Sequence, residues 1–423
     1  MTDAKVYYVN TDQMGFGDSL IDRLERLWNH KEVGLKNWIK PGDKVIIKTH
    51  FGSRNQTRHL RPMYIRKIVD LVRKAGGIPW VAECVGVGLD INNPESTMST
   101  GPGYTSLAAQ HGITMGSMNA PVMFLDGIWG SDTFTVPNET GKYLKKVAVA
   151  MGLRAAEKVL IVSRFKGHDG AGFGGALKQL GIGCVGKQGK GEAHYGGSEN
   201  VYIKHPENCS GPECNKCIEV CPPGCLSFED GQINLDSDRC IACTHCFAVC
   251  NADKPKLEDR VFRLKRQLKA DEQVERMMDN AGGVVKLLGP DRIRYINIAI
   301  DITSHCDCLA AGGHPLVPDQ GIFYSEDPIA IDQACVDLVT KARGLPGSPA
   351  ETGIRLGPPE RHIEANPTLL EPDQPKLGVY SLFVEPELRS KIVDIQLDAA
   401  KAQGIGSRSY KLIDVTKTKN EEE

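Results

Sequence analysis

The sequence predicts an α/β domain on a mostly parallel sheet, interrupted by a small cysteine-rich insertion. Three observations carry that expectation. Four short apolar, β-branched runs are spread along the chain, a segment of helical period joins the first two, and eight of the fourteen cysteines fall into two compact motifs between the third and the fourth.

The runs are "DKVIIKT" (43–49), "IPWVAEC" (78–84), "KVLIVSR" (158–164) and "YINIAID" (295–301). Each suits a strand covered on both faces, as in a parallel sheet. Between the first two, "RPMYIRKIVDLVRKAGG" repeats Ile65, Ile68, Val69 and Val72 at helical spacing and stops at Gly76-Gly77. That is a strand, helix, strand unit. After the third run the chain turns through "FKGHDGAGFGG" into "ALKQLG". The α/β domain is therefore expected in two parts, 1–199 and 257–416, around an insertion at 200–256. Within the second part, "LEDRVFRLKRQLKADEQVERMM" (257–278) reads as a charged helix leading back to the sheet. In "SEDPIAIDQA", Ser325 is the expected N-cap, with Asp327 beside Pro328 in the first turn. Residues 346–376 read as a Pro-rich surface excursion before a last strand and helix, and 417–423 as a disordered tail. Cys184 and Cys335 read as core packing.

Composition narrows the function. With 423 residues and 41% hydrophobic content the chain can fill a large core. Lys plus Arg (51) nearly balance Asp plus Glu (53), so no global field points to nucleic acid. The start lacks the pattern of a signal peptide, and no apolar run approaches the roughly 18 to 20 residues that span a bilayer. A cytoplasmic protein without a membrane span is expected, and there fourteen cysteines argue for metal, redox or catalytic use rather than a disulfide framework.

The first motif, "CSGPECNKCIEVCP", supplies Cys209, Cys214, Cys217 and Cys221; the second, "CIACTHCFAVC", supplies Cys240, Cys243, Cys246 and Cys250. Bacterial ferredoxins use C-x2-C-x2-C-x3-C-P, in which three thiolates hold one cubane and the fourth reaches the other. By that logic Cys240, Cys243, Cys246 and Cys221 hold one [4Fe-4S] cluster, and Cys209, Cys214, Cys217 and Cys250 the other: a ferredoxin-like 2[4Fe-4S] module. The first spacing is x4 rather than x2, and Asn251 replaces the usual proline. Those departures leave open a [3Fe-4S] cluster at Cys209, or Cys225 in its place. Paired zinc sites are the bland alternative, but zinc explains neither the third cysteine nor the fourth in each motif.

Ligands of open α/β sheets bind beyond the carboxyl ends of the strands. There the sequence places Lys48 and His50, with His59 and Arg61 a little later; Glu83 and Cys84; Lys166 and His168; and Asp301, Cys306 and Cys308. Lys48, His50, Lys166 and His168 are candidates to bind a small anionic substrate or move protons. The glycines of "GHDGAGFGGALK" and the helix start behind them would suit an anion, with a tight structural turn as the alternative. In "HCDCLAAGGH", Cys306 and Cys308 could share a further metal, completed by His305, His314 or Asp301, act as a redox dithiol, or be inert buried thiols.

"KTHFG", "HLRP", "SRFKGHDGAGFGGALKQLGIGC", "DITSHCDC" and "SEDPIAIDQACVDL", with a two-motif cysteine insertion between the third and the fourth, resemble the iron-sulfur branch of the family called domain of unknown function 362. The likeness covers most of residues 40–340. It implies an α/β domain interrupted by a ferredoxin-like module and supplies no reaction. The residues themselves support three readings. The first is a reductase in which two clusters feed a substrate or metal centre at the sheet edge. The second is a non-catalytic electron-transfer subunit of a larger oxidoreductase complex, and the third a metallocofactor maturation protein. The expected partner is a redox partner protein or a larger oxidoreductase complex.

Overall fold

The computed structural model describes residues 3–417 apart from 13, 169, 254–255, 311–312, 349 and 352–385. Eight strands form the central sheet: β1 (Ala4–Val9), β2 (Lys44–Lys48), β3 (Ile78–Glu83), β4 (Val122–Phe124), β5 (Lys158–Arg164), β6 (Ile293–Ala299), β7 (Gly321–Ser325) and β8 (Tyr410–Asp414). Their order is β8-β1-β7-β6-β5-β2-β3-β4. Only β7 runs against its neighbours; the other pairings are parallel. All four expected runs are strands, and they lie side by side as β6-β5-β2-β3.

Both faces of the sheet are buried, which is why these strands read as continuous apolar runs. Val45, Ile47, Leu160 and Val162 point to one layer; Ile46, Val159 and Ile161 point to the other. The first layer holds α1 (Leu20–Asn29), α2 (Pro62–Lys74) and α3 (Gly101–Gln110). Ile65, Ile68, Val69 and Val72 of α2 are each fully buried there, each worth about 1.5 to 3 kcal/mol of transfer free energy. Behind α2, Gly76 takes a left-handed φ of 91° and ends the helix. Five further helices complete the labelled set: α4 (Lys187–Tyr195), α5 (His245–Asp253), α6 (Ala270–Leu288), α7 (Pro328–Lys341) and α8 (Pro386–Ala402), of which α6, α7 and α8, with Ala193 of α4, supply buried residues to the second layer.

The connection from β5 to β6 carries the cysteine motifs. Its neck is an antiparallel pair, Val201–Ile203 with Phe262–Leu264, and a hairpin of Leu226–Glu229 with Gln232–Leu235 lies between. Val201, Leu226, Ile233, Phe247 and Phe262 form a core of their own. The neck corrects one expectation. Residues 257–278 are not one helix: Phe262–Leu264 is a strand, and α6 starts only at Ala270. Packing of Val261, Phe262 and Leu264 against the insertion overrides the local helical preference. The cap of α7 is also corrected. Asp327, not Ser325, is the N-cap, its carboxylate accepting from the backbone N-H groups of Ile329 and Ala330. Cys184 and Cys335 are buried as expected. The Pro-rich excursion and the tail fall largely outside the described residues. Among the described residues, no helix is long and apolar enough to cross a membrane.

Candidate functional site

The carboxyl ends of β2 and β3 place a polar network under the sheet edge. The Lys48 ammonium donates to Glu83 and, at 2.9 Å, to Gln179 Oε1. The other Glu83 oxygen accepts from His50 Nδ1 at 2.8 Å, and the Tyr104 hydroxyl lies 3.2 Å from the same nitrogen. Burial opposes the Glu83 charge, but Lys48 and His50 overcome it and hold the carboxyl at about 2. His50 thus gives its Nδ1 proton to a carboxylate, and its Nε2 is buried with no hydrogen-bond partner in the structure. Lys48 is corrected as a substrate contact. Its side chain is fully buried and its ammonium is occupied, so it holds Glu83 in place.

Beyond β5 and β6, the loop 301–309 is pinned by its own acid. Asp307 is buried between Lys166 Nζ at 2.8 Å and Arg164 Nε at 3.4 Å. Against the cost of burial, those cations hold its carboxyl well below the usual range. The anchor fixes Cys306 and Cys308 on either side, and they are disulfide-bonded to each other. Lys178 Nζ lies 3.8 Å from both sulfurs, and Cys308 Sγ lies 3.7 Å from His168 Nε2. The donor atoms of His168, Cys306 and Cys308 all fall within 4.8 Å of one another. His168 thus stands where His305, His314 or Asp301 was expected. Asp301 is instead tied to Arg58 and Arg61, His314 Nδ1 lies against the Pro315 carbonyl, and His59 stacks on His111.

The glycine-rich turn is a short antiparallel pair, Lys166–His168 with Gly172–Gly174, leading into a helical segment at Ala176. The anion expected at this helix start comes from the chain itself. The Asp332 carboxylate accepts from the Ala176 and Leu177 N-H groups at 2.9 and 2.8 Å. A β-carbon at Gly175 would lie 2.3 Å from Asp332 Oδ1, which explains glycine there.

Over this edge lies a cavity of about 440 Å³. His50, Lys166, His168 and Cys308 line it, together with Lys178, Lys190, His194, Tyr104 and Arg266, which the sequence reading missed. Among the described residues, Glu83 is its one acidic lining residue. The missed signal was in α4: Lys187, Lys190 and His194 recur at helical spacing on a helix that also carries Gly189, Gly191 and Ala193. That helix also touches the cysteine insertion. A β-carbon at Gly191 would stand 2.7 Å from the carbonyl oxygens of Ile241 and Ala242, inside the second motif. One turn away, the Lys187 ammonium contacts His245 Nε2 and donates to the Ser99 carbonyl at 2.6 Å.

Within the insertion the thiols sort into two groups. Burial and then the neighbouring Cys209, Cys250 and Cys214 push the Cys217 thiol up to about 12. Burial pushes Cys243 up to about 11, with Cys221 and Cys240 adding to the rise, and Cys246 well above its usual value, with Cys243 and Cys240 adding most. Left-handed φ values at Asn215, Ala242 and Thr244 turn the chain tightly between successive cysteines. Ala242 N-H donates to Cys240 Sγ at 3.4 Å. Mutually repelling soft donors, held close by a strained loop and backbone N-H groups, fit iron-sulfur clusters. Cys225 does not stand in for Cys209. Its sulfur is 3.4 Å from Cys221 Sγ, so it belongs beside the other group.

The family described as "Domain of unknown function (DUF362)" matches residues 45–337. The chain belongs to that family. A relative named "Ferredoxin 7Fe", from Hydrogenibacillus schlegelii, is 40% identical over 55 residues, 13% of this DUF362 chain and 70% of the relative, in keeping with an iron-sulfur branch. Among solved structures, the lactate racemase apoprotein from Thermoanaerobacterium thermosaccharolyticum is similar at a TM-score of 0.38 and 12% identity, covering 80% of this chain and 58% of that one. The DUF362 chain thus spans little more than half of that protein's length.

Proposed function

We propose that this DUF362 protein is an iron-sulfur reductase acting on a small anionic substrate in the cavity at the sheet edge. Cys221, Cys240, Cys243 and Cys246 would hold one [4Fe-4S] cluster, and Cys209, Cys214, Cys217 and Cys250 the other. When bound, such clusters supply one-electron transfer. The observation that carries the reading is the double engagement of α4. Gly191 lets the helix backbone rest against the loop between Cys240 and Cys243, while Lys190 and His194 enter the cavity wall. From Lys187 to His194 the helix advances only about 10 Å.

In the cavity the chain's own groups divide the work. Lys178 gives the wall a positive charge suited to a carboxylate or phosphate, whereas Lys190 is paired with Asp126 and Arg266 with Glu272. His50, oriented by Glu83, keeps its Nε2 lone pair available to accept a proton. A simple carrier docked to a redox partner protein would use the cysteine insertion without needing a buried cavity of this size lined by lysines and histidines. The test is binding. With iron-loaded protein kept anaerobic, a panel of small carboxylates and phosphate esters should raise the melting temperature saturably. Lys178→Met should abolish the rise without lowering iron content. A panel that leaves wild type unmoved rejects the substrate reading.

A further inference from the structure

We propose that Cys306 and Cys308 form a reversible disulfide/dithiol pair, a two-electron site in which Cys308 is the reactive sulfur, Lys178 its counter-charge and His168 a hydrogen-bond donor to it. The inference deepens the reductase reading and rests on it only for the source of electrons.

The hydrogen bonds of His168 choose between a metal and a thiol pair. Its Nδ1 accepts from the backbone N-H groups of both Gly170 and Ala171, at 2.9 and 3.0 Å. That nitrogen therefore carries no proton, and the single proton of a neutral imidazole sits on Nε2. Nε2 is the atom facing Cys308 Sγ at 3.7 Å. A metal ligand would need a lone pair there; this imidazole offers an N-H, which suits a thiolate. The Lys178 ammonium, 3.8 Å from both sulfurs, points the same way, because it repels a cation and stabilises an anion.

The two sulfurs differ in access. Cys306 is fully buried, and its sulfur accepts from the Cys308 backbone N-H at 3.1 Å. Cys308 lines the cavity. On reduction the S-S bond breaks and takes up two electrons, delivered singly by a low-potential one-electron donor. One proton, supplied by the Lys178 ammonium and replaced from the cavity, makes the Cys306 thiol. Cys308 remains a thiolate, held by the His168 N-H. Re-formation of the disulfide passes both electrons as a pair to the oxidised form of the anionic substrate in the cavity, a two-electron acceptor, and the Cys306 thiol proton returns to the cavity. The charged and titratable groups around the pair are Lys178, His168, Lys166, Asp307, Arg164 and His194.

The test is anaerobic alkylation with iodoacetamide, read by mass spectrometry at Cys306 and Cys308, with parallel metal analysis. Oxidised holoprotein should show neither residue labelled. After dithionite, both should label, Cys308 at least tenfold faster, with a pH midpoint below that of a free thiol near 8.5. Lys178→Met should slow Cys308 roughly tenfold and raise that midpoint. Cys240→Ser/Cys243→Ser separates the two readings. Opening by dithiothreitol in both proteins but by dithionite in neither, with Cys308 still the faster, keeps the thiol pair and removes the electron supply of the reductase reading. The proposal is overturned if no reductant exposes the pair or if the two thiols react alike. It is equally overturned by a stoichiometric metal other than iron that is lost in Cys306→Ser/Cys308→Ser.

Discussion

Among the described residues, Glu83→Gln removes the only carboxylate paired with Lys48, and its cost can be worked from burial. Lys48 is 0% and Glu83 3% exposed, so the substitution leaves an ammonium in the interior with the neutral Gln179 Oε1 at 2.9 Å. Breaking a buried pair from one side costs about 3 to 5 kcal/mol. The hydrogen bond retained by Gln179 offsets about 1 kcal/mol, so a net loss of about 3 kcal/mol is expected. At roughly 2 to 3 °C per kcal/mol, the melting temperature should fall by about 6 to 9 °C. Lys48→Met/Glu83→Gln removes both charges and should return to within about 1 kcal/mol of wild type. The assay is scanning fluorimetry under argon, with iron measured in each preparation. A single variant within about 2 °C of wild type, or a double variant worse than the single, would refute the reasoning, since either result means that the pair is not tightly coupled.

Other predictions address separate parts of the chain. Under the proposed ligand assignment, Cys221→Ser and Cys209→Ser should each lower bound iron by about half, whereas Cys225→Ser, a residue beside Cys221 but outside that assignment, should leave iron near wild type. Gly175→Ala drives a β-carbon onto Asp332 and should cost about 1 to 3 kcal/mol in thermal stability, with iron content unchanged. Burial pushes the Asp332 carboxyl up to about 6, from an ordinary value of 3.8. The folded chain therefore binds this proton more tightly than the unfolded chain, and Asp332 disfavours folding as pH rises from about 4 to 6. In denaturation series across that window, Asp332→Asn should gain stability relative to wild type with increasing pH. A constant difference would disprove the shift.

Much of the fold was legible because its signals are local. The runs 43–49, 78–84, 158–164 and 295–301 read as buried strands, and Ile65, Ile68, Val69 and Val72 marked one helix face, because strand and helix periods are set by the backbone alone. Residues 257–278 were misread because a strand of three residues has too little period to compete with a charged helical pattern. Packing on the insertion's core decided it. At the sheet edge, the rule of strand ends found His50, Glu83, Lys166, His168, Cys306 and Cys308. It could not find Arg266, which reaches the cavity from the far side of the insertion.

By itself, then, the sequence determined the mostly parallel sheet and the spacing of eight cysteines suited to two clusters. Spacing along a chain governs which thiols one tight loop can gather. Only the tertiary structure decided how the charges are spent: Lys48 on Glu83, Asp307 on Lys166 and Arg164, and Asp332 on the helix start that looked open to an anion. Those partners lie up to 156 residues apart. A charge buried so deeply is stable only where folding brings it a partner, and no local pattern records which partner that is.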